Sequence, residues 1–417
     1  MKFAKIRQLF PHNELGSVAD TFASILDSGK FQKAIAARKR IAIAVGSRGI
    51  SNIVTIVKAL VAHLRNAGIE PVIVGAMGSH GSATAQGQKM VLDKLQINER
   101  TVDAEIQSSM DVITLGHIEM NGRSFGVYVD KTAWQTDGVL LVNRVKQHSD
   151  FTARYESGLV KMATVGLGNH RGASQVHSLG TVGLKKLMPA LAEVVLGSDK
   201  VIGGFALVED AYHQTAGIHW LSRDEIMAGE PELLERAKAL MPYFPVDDID
   251  LLIIKQMGKD ISGVGIDPKI IGRLMIWGED ELPGPRIELI GICDISAASC
   301  GNALGVGLGD FITRELFDKI DFQALKKNIL TATFYQRGKI PIVLENEREI
   351  IEVAQKHFEK RGKDKIRAVI IKDSLHLADM YVSEPVLDAL AEPGMVEIVD
   401  PAKEIVFDSE GKTVVDL

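Results

Sequence analysis

Short apolar runs recur along this chain with room for a helix between most of them: IAIAV at 41–45, PVIVGA at 71–76, FGVYV at 125–129, GVLLV at 138–142, DLLII at 250–254, IELIG at 287–291 and RAVII at 367–371. A strand that is apolar on successive residues has to be covered on both faces, the condition of a parallel sheet flanked by helices. Amphipathic segments of helix length lie at 50–68, 83–95, 183–196, 230–240, 315–329 and 346–361, several opened by Ser, Asp or Asn and closed near Gly. The expected class is α/β: two α/β domains with largely parallel sheets and an active site in the cleft between them.

A chain of 417 residues exceeds what one core usually supports. A boundary is expected at YFPVDDID (243–250), where Pro245, with Pro242 just before it, and three acids precede a fresh strand pattern. This predicts an N-terminal catalytic domain over 1–245 and a C-terminal domain over 246–398. The tail from about 399 to 417 reads as β segments around a turn at SEG and is expected to rejoin the first domain. No fixed-period repeat and no low-complexity tract interrupts this plan.

Charge narrows the partners. With 48 basic and 54 acidic residues well mixed, for a net −6, the chain has no footprint for nucleic acid or a membrane surface. Its one tight basic run, Arg38-Lys39-Arg40, reads as a solvated strand entrance. Two cysteines, Cys293 and Cys300, give neither a disulfide framework nor a fourfold metal spacing. The opening MKFAKIRQLFPHNELG lacks a signal-peptide core, and no window has the length and apolarity of a membrane span. A cytoplasmic protein acting on a small molecule is the expectation; the sequence does not specify its oligomeric state.

Open α/β sheets bind ligands at the carboxyl ends of their strands. Here these ends run into Gly46-Ser47-Arg48-Gly49, into Gly78-Ser79-His80-Gly81 and into Asn143-Arg144-Val145-Lys146-Gln147-His148, and ESGLVKMATVGLGNHRGASQVH follows at 156–177. GSRG before a helix reads as an anion site or as a tight turn with an exposed arginine. GLGNHRG (166–172) misses both the dinucleotide and the phosphate-loop spacings.

Of eleven histidines, His80, His148, His170 and His177 accompany these glycine segments, and the other seven read as surface or satisfied core residues. There is no H-E-x-x-H pair and no G-x-S-x-G elbow. A divalent-metal hydrolase or lyase with ligands from His80, His148 and His177 stays open at this point, as does a non-catalytic ligand-binding protein.

The blocks GSRG, GSHG and QHSDFTARYESGLVKMATVGLGNHRGASQVHS resemble the lactate racemase family, isomerases that invert 2-hydroxyacids with a nickel-pincer nucleotide (pyridinium-3-thioamide-5-thiocarboxylic acid mononucleotide). In that family a nickel-binding histidine follows the cofactor-bearing lysine by sixteen residues, the separation of Lys161 and His177 here. The resemblance implies that Lys161 carries the cofactor covalently, that His177 binds both cofactor and metal, that His80 and His148 are the catalytic acid and base, and that Arg48 binds substrate. Lys259 and Lys269, in KQMGKDISGVGIDPKIIGR (255–273), are the candidate substrate-binding residues of the second domain. The departures surround the substrate. The family's D-x-T-R-P is Val45-Gly46-Ser47-Arg48-Gly49, its histidine-arginine pair is His80-Gly81, and three extra residues separate His148 from Lys161. The implied reaction is racemisation or epimerisation at C2 of a lactate-like or other 2-hydroxyacid or a sugar acid.

Overall fold

The computed structural model describes residues 1–390 and 392–417. The chain forms two compact units, Pro11–Met241 and a second made of Met1–Phe10 with Pro242–Leu417.

In the first unit six strands lie in the order Glu105–Gln107, Glu70–Gly75, Arg40–Val45, Gly138–Arg144, Val201–Glu209 and Thr215–Ser222. The first five are parallel and Thr215–Ser222 closes the edge antiparallel. The apolar run at 41–45 is buried on both faces because two separate cores need it. Ile41, Ile43 and Val45 face helix Ile53–Asn66, while Ala42 and Ala44 pack with Leu159, Val160 and Met162. Helix Ile53–Asn66 buries Ile53, Ile56, Val57, Leu60, Val61 and Leu64, the stripe of an amphipathic helix seated on a sheet.

One local expectation is corrected. The run at 125–129 is not a parallel strand: Arg123–Asp130 pairs antiparallel with Val112–Met120 in a separate hairpin. Asn121 and Gly122 at its tip have φ of 51° and 71°, the left-handed pair that a two-residue hairpin turn demands. The glycine-laced stretch after Ser157 is helical, with Gly166 ending a π-helical turn, Met162–Gly166, and Gly172 inside helix Asn169–His177.

The second unit has an eight-stranded sheet: Ile342–Leu344, Phe311–Thr313, Arg286–Ile292, Asp248–Ile254, Ala368–Ile371, Asp379–Ser383, Lys2–Gln8 and Val396–Glu404. Its first five strands are parallel and the rest antiparallel. The tail therefore does not rejoin the N-terminal unit. Val396–Glu404 pairs with Lys2–Gln8, and it is the N-terminal strand, with Phe3, Ala4 and Ile6 buried, that leaves its sequence neighbours for the distant sheet. The tail is also tied down by charge: buried Glu347 receives the Lys255 ammonium at 2.5 Å and the Thr413 backbone N–H at 2.9 Å.

Candidate active site

Strand Arg40–Val45 lies between Glu70–Gly75 and Gly138–Arg144, all three parallel. Their carboxyl ends run into Arg48, His80 and His148 respectively, so one end of the sheet carries all three. Strand order also reverses here, outward through Glu70–Gly75 to Glu105–Gln107 and then back to Gly138–Arg144 and Val201–Glu209. A crevice at such a switch point is the usual ligand site of an open α/β sheet.

Lys161 and His177 come from the crossover between Gly138–Arg144 and Val201–Glu209. Lys161 ends the short helical turn Leu159–Lys161, and the π-helical turn that follows is a form common at functional sites. The loop bearing His80 lies directly on that turn. Gly78, at φ +60°, donates its N–H to the Gly166 carbonyl at 3.2 Å, and a Cβ on Gly166 would stand 2.8 Å from the Ala76 carbonyl oxygen. Glycine at both positions lets two backbones touch.

These groups share one electrostatic environment. His80 is lowered to about 4, first by desolvation and then by the positive charges of Arg48, Lys161 and His177. His177 is lowered to about 4 by desolvation and Lys161. His148 falls well below its ordinary value, through desolvation and then Lys161, against the pull of Asp150. Lys161 is lowered to about 8, chiefly by desolvation, with Asp150 opposing and Arg48 and Lys146 adding to the effect. Desolvation, then Arg144, lowers Arg48. Arg48, His80 and His177 are nonetheless exposed by area, and Lys161 and His148 partly so.

At neutral pH the three imidazoles are uncharged, the form that ligates metals and accepts protons. An amine titrating near 8 has an appreciable nucleophilic fraction. Among the described residues no three His, Cys, Asp or Glu side chains converge to hold an ion.

Supporting residues that sequence reasoning missed surround the cluster. Ser47 Oγ hydrogen-bonds His80 Nδ1, within the GSRG block itself. Asp150 donates its backbone N–H to His148 Nδ1 at 3.1 Å and sets a carboxylate oxygen 3.8 Å from the same nitrogen. Glu156, fully buried, accepts the His148 backbone N–H at 2.7 Å and faces Lys238 at 3.3 Å. Arg144 pairs with Glu209, which also accepts the Ser51 N–H at 2.7 Å. Proximity in QHSD and ESGL could have flagged Asp150 and Glu156. His170 is held near the His80 loop by Ser79 Oγ at 3.1 Å from its Nδ1. Lys259 and Lys269 belong to the other unit. The Lys259 ammonium donates to the Gly263 carbonyl at 2.8 Å, and the Lys269 N–H to Asp267 at 3.0 Å.

No family model matches the chain, and no curated protein matches it. Solved structures do. The lactate racemase apoprotein from Thermoanaerobacterium thermosaccharolyticum superposes with a TM-score of 0.53 at 10% identity, over 89% of this chain and 99% of that one. A structural-genomics protein from Thermotoga maritima gives a TM-score of 0.52 at 13% identity, over 77% of this chain and 81% of its own. The chain has the α/β fold of these proteins. No helix among the described residues is long and apolar enough to cross a membrane.

Proposed function

We propose that this protein is a racemase or epimerase that inverts C2 of a 2-hydroxyacid by reversible hydride transfer to a nickel-pincer nucleotide tethered to Lys161. The observation that carries this reading is the meeting of Arg48, His80, His148, Lys161 and His177 at one sheet end in a chain with the lactate racemase fold. The donor set suits the group: Lys161 offers an amine lowered to about 8 for covalent attachment, and His177 an imidazole that stays neutral above about 4 for a metal. Bound there, the nucleotide supplies a hydride acceptor, so the substrate carbon becomes a neutral ketone in place of a carbanion beside a carboxylate.

The chain's own residues do the rest. Among the described residues Arg48 makes no ion pair, and its guanidinium holds the substrate carboxylate through paired N–H donors. One imidazole, neutral, takes the hydroxyl proton; the other, protonated from solvent once the anionic substrate is bound, returns a proton after the planar intermediate presents its second face, so His80 and His148 flank the substrate. The Ser47 hydroxyl can donate to or accept from His80, which permits either tautomer. His148 has a two-way partner in Asp150. Its backbone N–H holds Nδ1 as an acceptor, and its carboxylate, 3.8 Å away, can take an Nδ1 proton after a small ring shift and so free Nε2 as a base.

The test is protein purified from a host that makes the cofactor, examined by peptide mass spectrometry and elemental analysis. An adduct on Lys161, stoichiometric nickel and C2 inversion across a panel of single-enantiomer 2-hydroxyacids and aldonates are expected. An unmodified Lys161 with no nickel ends this reading.

A further inference from the structure

One buried acid lies beneath the proposed site with no cation paired to it among the described residues. Glu230, 1% exposed, sits inside helix Arg223–Ala239, on the face that also buries Ile226, Leu234 and Ala237. Its carboxylate accepts the Val160 backbone N–H at 2.9 Å and also bonds that of Leu159. These are the first N–H groups of the turn that ends at Lys161, two of the donors a helix start leaves without intrahelical partners. A Cβ on Gly158 would come within 2.5 Å of the Glu230 carboxyl carbon, so the glycine there is what admits the acid.

The same helix grips the preceding residues. Pro231 lies in its interior and has no N–H to give the Met227 carbonyl. The Tyr155 hydroxyl takes that carbonyl instead, at 2.8 Å. Lys238, about two turns further on, faces Glu156, which holds the His148 backbone. Three points along one helix therefore set the register of residues 155–160, and Glu230 is the one nearest Lys161.

We propose that Glu230 is a positioning residue for Lys161: from helix Arg223–Ala239 its carboxylate fixes the first turn of the lysine's helix and so presents the amine to the site. The assignment rests on the proposed function only in giving Lys161 a chemical task. Burial explains why the anchor is strict. With both backbone donors out of water, no solvent molecule replaces the carboxylate when it is lost.

The test uses the full-length protein without added cofactor and reads two quantities. One is amide hydrogen exchange at Leu159 and Val160. The other is the acetylation rate of Lys161 by N-hydroxysuccinimide acetate at fixed pH, relative to the exposed Lys326 and Lys327. Glu230→Gln should speed exchange at the two amides at least tenfold, leave the rest of helix Arg223–Ala239 protected, and change the Lys161 labelling ratio more than threefold. Tyr155→Phe should leave both readouts near wild type. Should Glu230→Gln fail to fold, Gly158→Ala, which crowds the carboxylate, should give the same signature. Uniform loss of protection with an unchanged labelling ratio means Glu230 is merely structural and overturns the assignment. Neither readout involves the nucleotide, so a missing adduct on Lys161 ends the racemase reading while leaving this one standing.

Discussion

The two parallel sheets end differently. In the C-terminal unit a cavity of about 440 Å³ lies at the carboxyl ends of the strands, lined by Lys255, Asp294, Glu315, Glu347 and Lys412 among others. Its lysines are satisfied by neighbouring acids: Lys255 by Glu347 and Lys412 by Glu315 and Glu410, with Lys319 beside them bridging Asp294 and Glu315. In the N-terminal unit the corresponding end gathers Arg48 and Lys161, neither in an ion pair among the described residues, beside imidazoles kept neutral. A strand end whose charges cancel closes a fold. One that leaves cations desolvated without partners stores free energy that an anionic ligand can release.

If that contrast is right, the largest effect belongs to Lys161. Lys161→Ala should abolish both turnover and the mass adduct, whatever the nickel supply. His80→Ala and His148→Ala should keep the adduct and lose roughly 10²- to 10⁴-fold in turnover, the usual worth of a placed acid or base. A His148→Ala variant at full activity breaks the acid and base assignment without touching the anchor.

The C-terminal end should answer in stability instead. Glu347→Gln leaves the Lys255 ammonium half-buried without its carboxylate and weakens the hold on Thr413. Breaking a buried pair on one side costs on the order of 3 kcal/mol, visible as a lower denaturation midpoint. Turnover per folded molecule and the Lys161 labelling ratio should not change. A drop in either would mean that the paired end also serves the chemistry.

Much of this was legible in the sequence because the strands flanking the site are buried on both faces, which writes continuous apolar runs such as IAIAV and GVLLV. The loops they end in were legible for the same reason. Other elements were hidden by local chemistry that tertiary contacts override. Val201–Glu209 carries Gly203-Gly204, and a Cβ on Gly204 would lie 2.8 Å from Leu159, so packing removed the side chains that mark a strand. Helix Arg223–Ala239 was expected only from 230, because Pro231 reads as a helix start; the structure runs straight through it and reuses the freed carbonyl. Glu230 had a signal after all, as an acid on the stripe of Ile226, Leu234 and Ala237. It becomes readable only once the helix is extended back to Arg223. Lys2–Gln8 belongs to a sheet whose other strands are more than two hundred residues away, a separation that local pattern does not reach.

Acid supplies the smallest and most discriminating test. His80 and His177 at about 4 and His148 well below its ordinary value bind fewer protons than the unfolded chain, whose histidines titrate near 6.5. Stability of the N-terminal unit from these groups is therefore complete above about 6.5 and is lost as pH falls toward 4. Glu230 acts with the opposite sign: burial raises it to about 7, so the folded state takes up a proton the unfolded chain does not, and acidification from 7 toward 4.5 is stabilising through that residue. Because His80 is exposed and screened, the net loss between pH 7 and 5 should be small, on the order of 1 kcal/mol. Removing the opposing group exposes the histidines. In Glu230→Gln the decline on acidification should steepen, whereas His80→Asn combined with His148→Asn should flatten or invert it, as read by hydrogen exchange in the N-terminal strands. The C-terminal sheet is the internal control, since Glu315 is lowered and loses its contribution only below the ordinary glutamate range. Equal acid sensitivity in both units would erase the distinction between an end built to close and an end built to bind.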